Sequence, residues 1–427
     1  MAEVLPFRGW RYDTNLVDPA LVTAPPYDVI GEEGREFYYR RHPENVIRLI
    51  LGREEPGDDE SNNKYTRARE HLDDWRRRGV LRRDVEPAFY IYRQDFTPPG
   101  GVPSSRTGLI ADLRLTPYAE GVVRPHERTL SRPKQDRLSL MRATGFQLSQ
   151  VFMLYEDPGA AIAPLLHGAV AKTPGLDLVD PEGVRHRLWT STDPGAAGRI
   201  RAFFAPRPVY IADGHHRYET ALAYRDELLA AGRRLGEADK VAVALLDMDQ
   251  PGLVVFPTHR AAHSLPAWDG ERFRLALAEN FKLSPFAGGP PALAAAIQPV
   301  PHSFGFIFPD GAYMATLTDE DRALAAMPRA RALEWRRLDV SLLHGLIFGR
   351  ALGLSEDAQA RQENLIYTRD PAEVAAMVAS GRAQFGVLLR PTSVREMKAV
   401  ADAGEAMPQK STYFWPKLLS GLVFKEL

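Results

Sequence analysis

Residues Pro208–Tyr224 read PVYIADGHHRYETALAY. Val209, Tyr210 and Ile211 make the short apolar run of a buried strand, whereas Tyr218, Ala221, Leu222 and Leu228 recur at helical spacing until Gly232 ends the pattern. Between them lie Asp213, Gly214, His215, His216 and Arg217, so the sequence predicts a strand-to-helix turn with ionisable groups at its apex. Gly214 lets backbone approach a ligand closely, and the first amides of a helix favour an anion. Arg217 adds a forked, permanently charged donor suited to phosphate. A metal site, a structural turn with satisfied histidines and a phosphate site are the three readings. Adjacent histidines at a helix start point in different directions, so at most one shares a site with Asp213, and phosphate binding fits the residue set best.

The turn sits in a chain of 427 residues, long enough for two or three domains with sizeable cores. Cysteine is absent, which excludes disulfides, thiolate metal sites, iron–sulfur clusters and a cysteine nucleophile, and is compatible with a reducing cytosol. Lysine and arginine number 54 against 55 aspartate and glutamate, a formal net charge of −1. That balance argues against a wholly basic nucleic-acid binder and leaves room for a local patch. The opening MAEVLPFRGWRYD lacks the basic flank and apolar core of a signal peptide, and no apolar run approaches the ~18 residues of a membrane span. A soluble, cytoplasmic protein with no membrane partner is expected.

Upstream of the turn, VIRLIL (46–51) reads as a strand and the acidic, Asn-rich segment 54–63 as a loop. Tyr65, Ala68, Leu72 and Trp75 share one face of a helix over 64–78 that Gly79 stops. AFYIYRQDF (88–96) and TGLIADLRL (107–115) read as a hairpin around PPGGVPSSR, and QVFMLY (150–155) as a further strand. Downstream, VAVALLDMD (241–249) is a central strand and LVVFPTHR (253–260) another. The Pro- and Ala-rich stretch 262–301 reads as two helices and a loop, followed by the hairpin FGFIF–PDG–AYMATL, a buried helix over 338–348 and a strand over 383–390.

Three further groups carry chemistry. His126 and Glu127, in RPHERT, read either as a solvated loop with Glu127 pairing Arg128, or as a site in which Glu127 takes a proton from a hydroxyl nucleophile and His126 orients Glu127 or the substrate. Lys134, Asp136 and Arg137, in PKQDR, suit phosphate or carboxylate recognition and equally suit surface ion pairs, the more ordinary reading. Lys410 stands beside Ser411 and Thr412 in the Pro-bounded MPQKSTYFWPK, which lacks the glycines of a P-loop. Asp28, His259 and Arg260 read as structural.

APPYDVI, RPHERT, PKQDRL, YIADGHHRYETAL and MPQKSTYFWPKLLSGLVF occur in one order, and on these phrases the chain resembles the domain-of-unknown-function 1015 family nearly end to end. More distantly, GHHRYETA is similar to the GxxRxxA phosphate pattern of ParB-like and sulfiredoxin-like folds, and an HE segment followed by DGxHR resembles free serine kinases. Carried to matching positions, that resemblance implies Glu127 as base, Asp213 as a magnesium or substrate contact, and Gly214, His216 and Arg217 as phosphate contacts. Sulfiredoxin chemistry is excluded by the missing cysteine, and no basic recognition helix supports DNA binding.

The expected fold is therefore α+β: a ParB/sulfiredoxin-like mixed core over 121–262 carrying the HE and DGHHR motifs, an N-terminal α/β region over 1–120 and a C-terminal α/β region over 263–427. The expected function is a kinase-like, nucleotide-dependent phosphotransferase acting on a small hydroxylated metabolite, free L-serine being one candidate. Glu127, Asp213 and His126 are the expected catalytic residues. Gly214, His215, His216, Arg217, Lys134, Arg137 and Lys410 would bind ADP or ATP, or CTP, with Mg²⁺ at Asp213. Two other readings stay open: a nucleotide-binding regulatory switch, and a metal-dependent hydrolase using His126, His215 or His216.

Overall fold

Hydrophobic patterning resolves into two compact units in the computed structural model, which describes every residue except 130 and 267. The first comprises residues 1–125, 129–254 and 416–427; the second comprises 126–128 and 255–415. The architecture is mixed α+β. Among the described residues no helix is long and apolar enough to cross a membrane.

The first unit is built on a nine-stranded sheet flanked by helices. Its strands run in the order Val123–Arg124, Val209–Asp213, Val151–Tyr155, Lys240–Asp247, Ser104–Arg114, Phe89–Phe96, Arg185–Ser191 and Leu176–Val179, with Val4–Leu5 also paired to Ser104–Arg114. Strands from both sides of residue 120 thus share one sheet. The pairs 123–124 with 209–210 and 243–247 with 151–155 are parallel and the others antiparallel. Lys240–Asp247 is central, as its unbroken apolar run implies, and Val241, Val243 and Leu245 are buried in the core with Val151, Met153 and Ile211. The expected hairpin forms between Phe89–Phe96 and Ser104–Arg114.

The predicted helix over 64–78 spans Lys64–Arg77, opened by a capping box between Asn63 and Thr66 and followed by Gly79 at φ +73°. It packs on the helix Ser131–Thr144, which in turn packs on His215–Ala230. One expectation fails nearby: VIRLIL is not a strand, because Ile47–Ile50 is a helical turn. Asn45 decides this, its Oδ1 accepting from the Ile47 amide at 2.9 Å while its Nδ2 donates to the Leu21 carbonyl at 2.7 Å. Val46, Ile47, Leu49 and Ile50 are all buried, so hydrophobicity carries no period to separate helix from strand.

The second unit holds a six-stranded antiparallel sheet in the order Phe281–Phe286, Gly311–Leu317, Ser303–Phe308, Phe385–Leu388, His259–Ala262 and Leu365–Thr368. Helices Pro290–Ile297 and Pro371–Ala379 bury Leu293, Ile297, Val374 and Met377 in its core. Three expectations change here. LVVFPTHR is two strands, Val254–Phe256 and His259–Ala262, separated at Pro257, which has no amide for a ladder. The segment 262–301 contains the two expected helices, but Phe281–Phe286 between them is a strand; it lies at the sheet edge, where Pro285 is tolerated. The buried helix over 338–348 begins as Asp339–Leu342 and continues as a π-helix, Leu343–Ala351.

Candidate functional site

The turn predicted from PVYIADGHHRYETALAY forms in the first unit: strand Val209–Asp213, Gly214, then helix His215–Ala230. The strand's pairing with Val151–Tyr155 slips between Ile211 and Asp213, an irregularity at the point where the buried run Val209–Ala212 gives way to the half-buried Asp213. Gly214 is the helix N-cap at φ +96°, a conformation costly to any residue with a Cβ. A Cβ there would also lie 2.8 Å from Cζ and Nε of Arg217, so the guanidinium folds directly over the glycine.

Arg217 Nη2 donates to Asp213 Oδ2 at 2.7 Å, and its Nη1 donates to the Gln150 carbonyl. Lys417 Nζ donates to the other carboxylate oxygen, Oδ1, at 3.2 Å. Burial pushes the Asp213 carboxyl up, but Lys417 and Arg217 outweigh it and hold the group well below the usual range. One carboxylate against two cations leaves these three side chains with one positive charge at a helix start. Arg217 is thereby oriented by Asp213 rather than extended. Each Asp213 oxygen accepts from one cation, which leaves the carboxylate further lone pairs for another contact.

Lys417 follows Pro416 in the same closing phrase as Lys410, and no local signal in the sequence marks it. What brings it here is the return of 416–427 to the first unit. The Lys417 carbonyl accepts from Gln94 Nε2 at 2.9 Å, and Lys425–Glu426 pairs with Phe146–Gln147. Lys425 Nζ donates to the buried Asp112.

Lys134 and Arg137 lie on the helix Ser131–Thr144 and are engaged with protein groups. Lys134 Nζ donates to Glu219 Oε2 at 2.9 Å, an oxygen that Thr129 Oγ1 also reaches at 2.5 Å. Arg137 pairs with Asp136 and stacks over Tyr27 at 3.9 Å. Asp136 also accepts from Tyr65 Oη at 2.8 Å and meets Lys64 at 3.0 Å. Against burial, Arg137, Tyr65 and Lys64 bring its carboxyl down to about 2. The ion-pair reading of PKQDR describes these contacts.

His126, Glu127 and Lys410 lie together in the second unit. The Met407 amide donates to the His126 carbonyl at 2.8 Å, and Glu127 bridges Met407 in parallel. His126 Nε2 and Thr412 Oγ1 share a hydrogen bond of 3.0 Å, and the Lys410 amide donates to Glu127 Oε1 at 3.4 Å. Buried Arg260 ties the same loop by donating to the Gln409 and Lys410 carbonyls at 3.4 and 3.2 Å. Lys410 itself stands at φ +58°, a strained conformation for lysine. His259 is buried and accepts from the Leu389 amide at 3.2 Å.

Residues 4–341 match a family described as "Protein of unknown function (DUF1015)". No curated protein matches the chain. Solved structures with a distant likeness include a conserved hypothetical protein from Pyrococcus furiosus, 14% identical over 69% of this chain and 87% of that one, TM-score 0.33. A free serine kinase in complex with AMP is 12% identical over 69% and 84%, TM-score 0.35. A C-terminally truncated SbnI from Staphylococcus aureus is 11% identical over 71% and 84%, TM-score 0.34.

Proposed function

The chain belongs to the DUF1015 family, whose description names no activity, and from its own residues we propose that it is a nucleotide-dependent phosphotransferase acting on a small hydroxyl compound. The observation that carries this reading is the Gly214 turn. A glycine at φ +96° caps a 16-residue helix beside one carboxylate and two cations. Gly214 lets the Arg217 guanidinium lie directly over the backbone at the helix start, and the helix start together with the two cations favours the phosphates of ADP, ATP or CTP.

Positioning and charge neutralisation would supply most of the catalysis. Asp213 fixes Arg217 and Lys417, so that their charge is in place before the nucleotide arrives. Magnesium would enter with the nucleotide's phosphates and add charge neutralisation. The role of Glu127 as proton acceptor rests on the order of the HE and DGxHR motifs, and free L-serine is the first acceptor to try on the same ground.

Calorimetry with ADP, ATP and CTP in the presence of Mg²⁺ tests this, comparing the wild type with Arg217→Ala. Binding that is lost in the variant supports the turn as the phosphate site, and phosphoserine formation then tests the transfer. Binding without turnover on any hydroxyl acceptor favours the regulatory reading instead. No binding of any of the three nucleotides by the wild type overturns both.

A further inference from the structure

We infer that the second unit carries a binding cavity for a small amphipathic organic anion, one with an acidic group, an apolar or planar body and an N–H or O–H donor. This does not rest on the phosphotransferase reading.

The cavity has a volume of about 580 Å³ and its lining belongs to the second unit alone. That is the size of a small-molecule site. Met327, Trp335 and Met407 supply apolar wall. The Trp335 indole N–H is already donated to the Ala406 carbonyl at 2.9 Å, so Trp335 offers a ligand only its ring.

Its charge is positive. Arg331 is neutralised by Glu405 at 2.8 Å, whereas no ion pair of Arg128 or Arg350 is found among the described residues. Among the described residues Glu356 is the one acidic side chain of the lining. Two unpaired arginines against one glutamate leave one positive charge, and both guanidinia are exposed enough to swing onto an anion.

The backbone there is unusual. His344, Gly345, Gly349 and Arg350 reach the cavity from the π-helix Leu343–Ala351. π-helical turns are rare and concentrate at functional sites, because they spend backbone geometry to re-aim side chains. Gly345 is needed for the wall to close, since a Cβ on it would lie 2.6 Å from Met327 Sδ.

His344 supplies the polar anchor. Its Nδ1 meets Gln359 Oε1 at 2.7 Å, and Gln359 Nε2 donates to the Leu354 carbonyl at 2.9 Å, which leaves the amide oxygen facing the ring. The proton therefore sits on Nδ1 and Nε2 is an acceptor. Burial, with Arg260 nearby, holds the imidazole neutral by pushing its pKa down to about 3. Nε2 is buried with no partner among the described residues. A buried orphan acceptor is costly, and a small turn of the ring toward the cavity that His344 lines would let a ligand N–H or O–H satisfy it.

8-Anilinonaphthalene-1-sulfonate combines an anion, a planar body and one N–H, and serves as the probe. Fluorescence titration of the full chain should give one saturable site. Arg350→Ala should weaken it about tenfold, the effect of one lost charge-assisted contact. Ala325→Trp, at an exposed lining position, should fill the cavity and abolish binding without moving the urea midpoint. Equal binding by wild type and both variants, or no saturable binding by the wild type, would overturn the inference. Should Ala325→Trp fail to fold, Arg350→Ala alone decides, because Arg350 makes no ion pair among the described residues.

Discussion

Lys417 Nζ lies 3.2 Å from Asp213 Oδ1, joining residues 204 positions apart and giving the Gly214 turn its second cation. Lys417→Met should cost nucleotide affinity about tenfold, the loss of one charge-assisted contact. Asp213 has its carboxyl held below the ordinary range, so its contribution to stability is complete above an unfolded pKa of ~4 and is lost as pH falls through the folded value. Lys417→Met raises that folded value. Acid unfolding followed by circular dichroism should therefore begin at higher pH in the variant, and an unshifted midpoint would count against the pairing.

Gly214→Ala forces a Cβ into a left-handed conformation and against Arg217. The backbone term alone is about 1–2 kcal/mol. We expect a lower melting temperature together with loss of nucleotide binding. Normal binding in this variant would mean that the turn does not hold the phosphates.

Asp112 and Lys425 form a buried pair, with side chains only 1% and 2% exposed. Burial drives the Asp112 carboxyl up to about 6 despite Lys425. Lys425→Met leaves the buried Asp112 without its cation, raises its carboxyl further and should destabilise the first unit by about 3–5 kcal/mol, read from urea midpoints at neutral pH. Adding Asp112→Leu should recover most of the loss. A double variant as unstable as the single one would show that Lys425 acts through packing.

Asp136 stabilises the fold above an ordinary aspartate pKa of ~4, and this contribution disappears as pH falls toward its folded value of about 2. Asp136→Asn should be less stable than the wild type near neutrality and nearly its equal at pH about 2. Urea midpoints across that window measure the difference. A constant gap at every pH would exclude the titration as its source.

Glu127→Gln keeps the side chain's size and an oxygen for the Lys410 amide while removing its basicity. On the proposed function, phosphoryl transfer should be abolished and nucleotide binding retained. A variant as active as the wild type would remove Glu127 from the role of base.

Local chemistry made much of this molecule legible in advance. A strand of apolar residues, a glycine and a helical period specify the turn at 209–230 without reference to the rest of the chain, and the same holds for the hairpin 89–114 and the capped helix 64–77. Where burial erased periodicity, as at Ile47–Ile50, a single side chain, Asn45, decided between helix and strand. Where composition suggested loop, as at Phe281–Phe286, an edge position made Pro285 acceptable.

The sequence by itself determined the mixed α+β class, the Gly214 turn and the residue types around it, because φ preference and side-chain period act over a few residues. Only the tertiary structure decided that Asp213 is clasped by Lys417 as well as Arg217, that Lys410 faces Glu127 through its backbone amide, and that a π-helix carries His344 to the lining of a cavity with its Nε2 buried and without a partner among the described residues. Each of these depends on contacts between segments far apart in the chain, or on packing that overrides the local helical preference, and no local rule of spacing encodes them.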